Sequence, residues 1–213
     1  MHQRFGALPV NLKFAILIDG GFLTKALAVK IKKFPEATDV EAECQRIRKH
    51  PDLASLDLLR IYFYDSPPAS GTLKNPIDGS VLDLGSSPIF IRNEKFLNEI
   101  ELLPNFALRR GELIARGWKI GNAALKTLLK KPAAPTAKDL VPNIQQKGVD
   151  LRLGLDIARI ALRQTAQVVV VVTGDSDLIP AFKFARREGI RIYLDNLGMP
   201  IRRELRVHAD IVI

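Results

Sequence analysis

Two short runs of the chain are apolar throughout, and each leads into carboxylates. Phe14–Ile18 closes directly on Asp19, and Val168–Val172 is followed, after Thr173 and Gly174, by Asp175 and Asp177. A strand with no polar face is stable only where both of its faces are covered, which is the condition inside a parallel sheet flanked by helices. Helix signals come next in both cases. Phe22, Leu23, Ala26 and Leu27 keep helical spacing after the first run, and after the second Pro180 suits a first helical turn and Gly189 a C-cap. Strand, turn and helix repeated in this way predict an α/β domain with a parallel or mostly parallel sheet.

The intervening chain fits the same scheme with one interruption. A helix is expected over Val40–Lys49, and DLLRIYFYD is a strand candidate that ends on Asp65. Ser66–Ser80 carries too many Pro and Gly residues for a regular element. RNEKFLNEIELL is spaced as a helix, NFALRRGELIARGWKIG alternates as a hairpin or two short strands, and NAALKTLLKK returns to helix before a Pro/Ala-rich stretch. KGVDLRLGLDIARIALRQ then reads as an amphipathic helix, with Leu151, Leu155, Ala158 and Leu162 on the apolar side and Arg152, Asp156, Arg159 and Arg163 on the polar side. IRIYLDN and ADIVI are the last strand candidates. The expectation is one domain over residues 1–213 with an insertion at about 67–147.

Charge singles out that insertion. The whole chain carries 32 basic and 23 acidic residues, a net +9, which favours polyanionic partners such as nucleic acid. Two-thirds of the excess lies between Arg92 and Lys147, as an asymmetry of this kind marks a contact surface. A single cysteine, Cys44, excludes an intrachain disulfide, and His2, His50 and His208 have no zinc-ligand spacing. A reducing cytoplasm is the simplest location. No apolar run is long enough to span a bilayer, and Asp19 interrupts the only stretch with the character of a signal-peptide core. The composition leaves self-association open.

In a parallel sheet every strand delivers its carboxyl end to one edge, and ligands bind there, where the strand order reverses. Asp19 and Asp175 converge if their strands are neighbours at that point, and Asp150 joins them if its helix begins over the same edge. Like charges at about 4 Å cost about 4 kcal/mol at an effective dielectric of about 20, so such a group needs compensation. Mg²⁺ or Mn²⁺ supplies it through hard oxygen ligands, and a cation so held lowers the pKa of a water and steadies a phosphate's developing charge.

ILIDGGF, KGVDLRLGLDIA and VVVTGDSDLIPAFKFARREGI resemble the three motifs of the LabA-like NYN domains, a branch of the PIN-like superfamily of metal-dependent nucleases. The resemblance implies a three-layer Rossmann-like fold, a Mg²⁺ or Mn²⁺ site built from Asp19, Asp150, Asp175 and Asp177, and RNA, single-stranded in the simplest case, as substrate. Many NYN proteins carry an asparagine shortly after the first aspartate, where this chain has Gly20, Gly21 and Phe22. A non-catalytic RNA-binding or regulatory domain of the same fold is the alternative.

Plainer roles compete for each residue. Asp19, Asp150, Asp175 and Asp177 all sit where an aspartate can cap a helix, and Asp65 stands in a DSPP turn signature. Asp156 is expected to pair with Arg152 and Arg159 on the helix surface. Arg109, Arg110, Arg116, Lys119 and Lys147 are the phosphate-contact candidates, against a simple solvated face. Trp118 is read as packing for a hairpin or as a base-stacking platform. Ser176 has no histidine nearby to activate it, a small-molecule phosphatase would want an aspartate at Gly21, and no GxxxxGK[ST] loop is present.

Overall fold

The computed structural model describes residues 12–213; His2 and the first eleven positions of the expected domain lie outside the described residues. In chain order the elements are β1 (Lys13–Asp19), α1 (Gly20–Ile31), α2 (Ala37–Arg48), β2 (Asp57–Asp65), β3 (Thr72–Lys74), β4 (Val81–Asp83), α3 (Pro88–Glu101), β5 (Phe106–Arg110), β6 (Glu112–Ile120), α4 (Asn122–Lys130), β7 (Leu140–Lys147), α5 (Val149–Arg163), β8 (Val168–Val172), α6 (Ile179–Arg187), β9 (Arg191–Asp195), α7 (Arg203–Val207) and β10 (Ile211–Val212). A six-stranded sheet runs in the order β10-β9-β8-β1-β2-β5, with every neighbouring pair parallel.

Both faces of that sheet are buried, which is why its strands could be apolar without alternation. Phe14, Ile16 and Ile18 of β1 and Val168, Val170 and Val172 of β8 pack with α1, α2 and α3. Ala15 and Leu17, with Val169 and Val171, pack on the opposite side against α5, α6 and α7. The result is a three-layer α/β sandwich of Rossmann type. Among the described residues no helix is long and apolar enough to cross a membrane.

Four local expectations change. β5 and β6 do not form a hairpin with each other: β5 is the edge strand of the main sheet, parallel to β2, whereas β6 pairs antiparallel with β7. The Ser66–Ser80 stretch contains β3, which pairs with β4. β7 is a strand the sequence does not signal; the Pro142 within it is tolerated because, among the described residues, β7 pairs only with β6. The inward face of α5 is Val149, Leu153, Ile157, Ile160 and Ala161, so Leu151, Leu155 and Leu162 point outward at 67%, 59% and 65% exposure.

The 67–147 range is correspondingly not one uniform insertion. Within it, α3 contributes Phe96, Leu97 and Ile100 to the core, and β5 completes the sheet. What stands outside the sheet is the small β3–β4 hairpin and an arm made of β6, α4 and β7. Gly111 roots that arm: a Cβ there would meet Ser66 Oγ and Val149 Cγ2 at 2.6 Å and the Lys147 carbonyl at 2.8 Å.

Candidate active site

β1 and β8 are adjacent, with Ile18 opposite Val172, and the chain leaves β1 for β2 on one side while β9 and β10 extend from β8 on the other. This is the switch point at which a parallel sheet opens a crevice at its carboxyl edge. Asp19 stands at that edge and caps α1, its Oδ1 accepting from Phe22 N at 3.0 Å. Its Oδ2 accepts from Thr173 Oγ1 at 3.3 Å, and Thr173 Oγ1 accepts in turn from Asp175 N at 3.1 Å. The wholly buried Thr173 hydroxyl therefore ties together the loops that carry two of the acids. Gly174 permits the close passage of the Phe22 ring, which a Cβ would meet at 2.6 Å. Asp175 also caps the 3-10 turn before α6, its Oδ1 accepting from Asp177 N at 2.9 Å.

Asp150 reaches the same edge from a different element. Gly148 adopts φ 77°, a left-handed conformation that glycine takes without cost, and turns the chain from β7 into α5. Asp150 lies in the first turn of α5, where the helix dipole favours an anion. The electrostatics record the convergence. Burial raises the Asp19 carboxyl above its ordinary range, and the charges of Asp150 and Asp175 push it the same way. Burial and then the charges of Asp175 and Asp177 raise Asp150. Asp65, at the end of β2, is pushed up to about 6 by burial, with Asp19 adding to the shift.

These donors are carboxylate oxygens and one hydroxyl, the chemistry a hard divalent cation takes. Among the described residues no three acidic, histidine or cysteine side chains close around a single point. Mg²⁺ commonly binds through one or two carboxylates and keeps several of its waters, so it does not require three carboxylates around one point.

The basic candidates divide into two sets. Arg109 Nε pairs with Asp156 Oδ2 at 3.2 Å, and Arg110 Nη2 with Glu101 Oε2 at 2.7 Å, so both are engaged within the protein. Asp156, expected to pair with Arg152 and Arg159, instead accepts from Arg109 and from the Tyr64 hydroxyl at 2.8 Å, because its helix is rotated inward relative to the expected face. Arg116, Lys119 and Lys147 lie on the arm, exposed and, among the described residues, without ion pairs. Trp118 Nε1 donates to the Lys74 carbonyl at 2.9 Å, fastening the arm to the β3–β4 hairpin.

Two residues at the edge escaped the sequence reading. Thr173 is one, and the hydroxyl preceding GDSD was its only signal. Arg202 is the other: its Nη1 lies 3.4 Å from Ser176 Oγ, between the two acids of that motif, although 26 residues separate them. No local pattern could have brought a residue from the α7 cap to this loop.

The profile of the NYN domain family matches residues 77–209. The match takes in Asp150, Asp175 and Asp177, and the β1–β8 pairing sets Asp19 beside them. Among solved structures, a protein of unknown function from Vibrio parahaemolyticus is similar in fold, with a TM-score of 0.54 at 13% identity, over 97% of this chain and 94% of that one. No curated protein matches.

Proposed function

The chain belongs to the NYN domain family, with a PIN-like nuclease fold, and on that premise we propose that it is a Mg²⁺- or Mn²⁺-dependent ribonuclease of the LabA-like branch, acting on single-stranded RNA in the cytoplasm. The observation that carries the reading is the Asp19–Thr173–Asp175 link at the switch point, with the charges of Asp150 and Asp175 both acting on Asp19.

Asp19, Asp150 and Asp175 would hold the cation, with Asp177 assisting directly or through water, and a cation held there would supply a water of lowered pKa and compensation for the phosphate's charge. The protein supplies the rest. Thr173 and the Phe22 amide orient Asp19, so its carboxylate cannot swing away from the edge. Arg202, beside the GDSD loop, offers a guanidinium to a phosphate, whose two oxygens it can engage in the bidentate manner for which arginine is suited. Arg116, Lys119 and Lys147 carry the neighbouring phosphates, and Arg109 and Arg110 serve there only if their ion pairs open.

Cleavage of a labelled single-stranded RNA in Mn²⁺ tests this. Asp175→Asn should lower the rate by about 100-fold or more, since a cation-assisted step is worth several kcal/mol. Equal cleavage by both proteins refutes the assignment. The open acid group and the Gly20-Gly21-Phe22 sequence favour one other reading, a non-catalytic RNA-binding domain. Binding by both proteins with cleavage by neither selects it.

A further inference from the structure

The arm spreads its charge from Lys147, at its root, to α4 at its far end. Residues 112–147 hold seven basic side chains against Glu112 and Asp139, and among the described residues none of the seven makes an ion pair. The arm's root is at the acidic edge: Gly111 N donates to the Asp65 carbonyl at 2.8 Å, and β7 ends one residue before α5 begins. Its tip is α4, which buries no residue and carries Lys126 and Lys130 one turn apart, with Lys131 next to them. Like charges at that spacing on an exposed helix repel, a cost that a bound anion removes.

The arm does not swing freely. Trp118 Nε1 donates to the Lys74 carbonyl, and the buried Asn75 side chain donates to the Ala137 carbonyl at 3.3 Å, so the β3–β4 hairpin braces the outer half of the arm. The register pairs Glu112 with Lys147 and Ile120 with Leu140, so the arm spans seven steps of β7, about 23 Å at about 3.3 Å each, between its root and α4. A stacked strand advancing about 3.4 Å per nucleotide covers that span in about 7 nucleotides.

We propose that α4 is a second RNA contact held at this distance from the acids, so that the protein selects single-stranded RNA by length. A strand that reaches Lys126, Lys130 and Lys131 from the acidic edge is held at both ends, and a shorter one is held only at the root. The inference rests on the nuclease reading for its effect on cutting, but the contact itself is measured by binding.

The test compares the wild-type protein with K126E/K130E/K131E on single-stranded RNAs of about 4 and about 16 nucleotides, within the range of single-strand sites. Cleavage in Mn²⁺ gives kcat/KM, and fluorescence anisotropy at several salt concentrations gives binding. The wild type should favour the longer RNA by about tenfold or more, and the variant should bring that ratio close to one. The salt dependence of binding to the longer RNA should become shallower by about 2 in log–log slope, from the loss of three phosphate contacts. The triple Lys→Gln variant, which preserves helix propensity, should give the same result if the glutamates disturb the arm. An unchanged length ratio together with an unchanged salt slope overturns the proposal. So does a loss of binding to phosphatidylserine vesicles with RNA binding intact, which would make the tip a membrane contact. Absence of cleavage by the wild type overturns the nuclease reading, and the salt slope then decides the contact alone.

Discussion

The five valines of β8 are each at most 4% exposed, whereas none of the nine residues of β6 is buried. β8 is held from both faces by helices and from both sides by strands. Among the described residues β6 pairs with one strand, and the arm it belongs to makes two hydrogen bonds to a neighbouring hairpin. The two regions also divide the chain's charge, with Asp19 and Asp65 at the ends of main-sheet strands and seven basic side chains on the arm. A carboxylate whose position must hold within a fraction of an ångström belongs on a close-packed frame. A polyanion's backbone needs only a spaced set of cations, and an arm with little core provides them.

The largest effect should come from the frame. Phe182, wholly buried between α6 and the sheet, fills space that its neighbours cannot reclaim, and Phe182→Ala should cost about 3–5 kcal/mol in urea unfolding. A cost below about 1 kcal/mol would show that the layer under the acids is loosely packed, and the contrast with the arm would fail.

A smaller effect separates the acids from the arm by pH. Asp65 has a folded value of about 6, against about 4 in an unfolded chain. Between these values the folded protein keeps a proton that the unfolded chain has released, so stability falls as pH rises through the window, and the loss is complete above about 6. In EDTA, Asp65→Asn should remove that penalty and gain about 2–3 kcal/mol at pH 7 relative to pH 4. A gain of the same size at both pH values would mean that burial does not hold the proton.

The smallest change belongs to the tip. Leu129 is 75% exposed on α4, and Leu129→Ser should alter stability by no more than about 0.5 kcal/mol in the same assay. A larger loss would reveal that the arm has a core of its own.

The same contrast explains how far the sequence could be read. β1, β2, β8 and the convergence of Asp19 with Asp175 were legible, because apolar runs and parallel topology leave little freedom in where strand ends meet. α5 was misread because it carries two stripes at helical spacing, Leu151-Leu155-Ala158-Leu162 and Val149-Leu153-Ile157-Ile160. Only the sheet's surface decides between them, and its choice also redirects Asp156 to Tyr64 and Arg109. β7 was invisible because LVPNIQQK has neither alternation nor a continuous apolar run, and its strand exists through pairing with β6. Arg202 reached the site by tertiary packing alone.

Gly111 sets a rule for how this molecule can vary. A single residue added there would displace the strand by one step, and since neighbouring side chains in a strand face opposite ways, every cation on β6 would exchange sides with its neighbours. Length changes are tolerated instead in the 131–136 connection beyond α4, which lies outside every strand and helix. Relatives that differ in reach should therefore differ at the far end of the arm and keep its junction with the sheet intact.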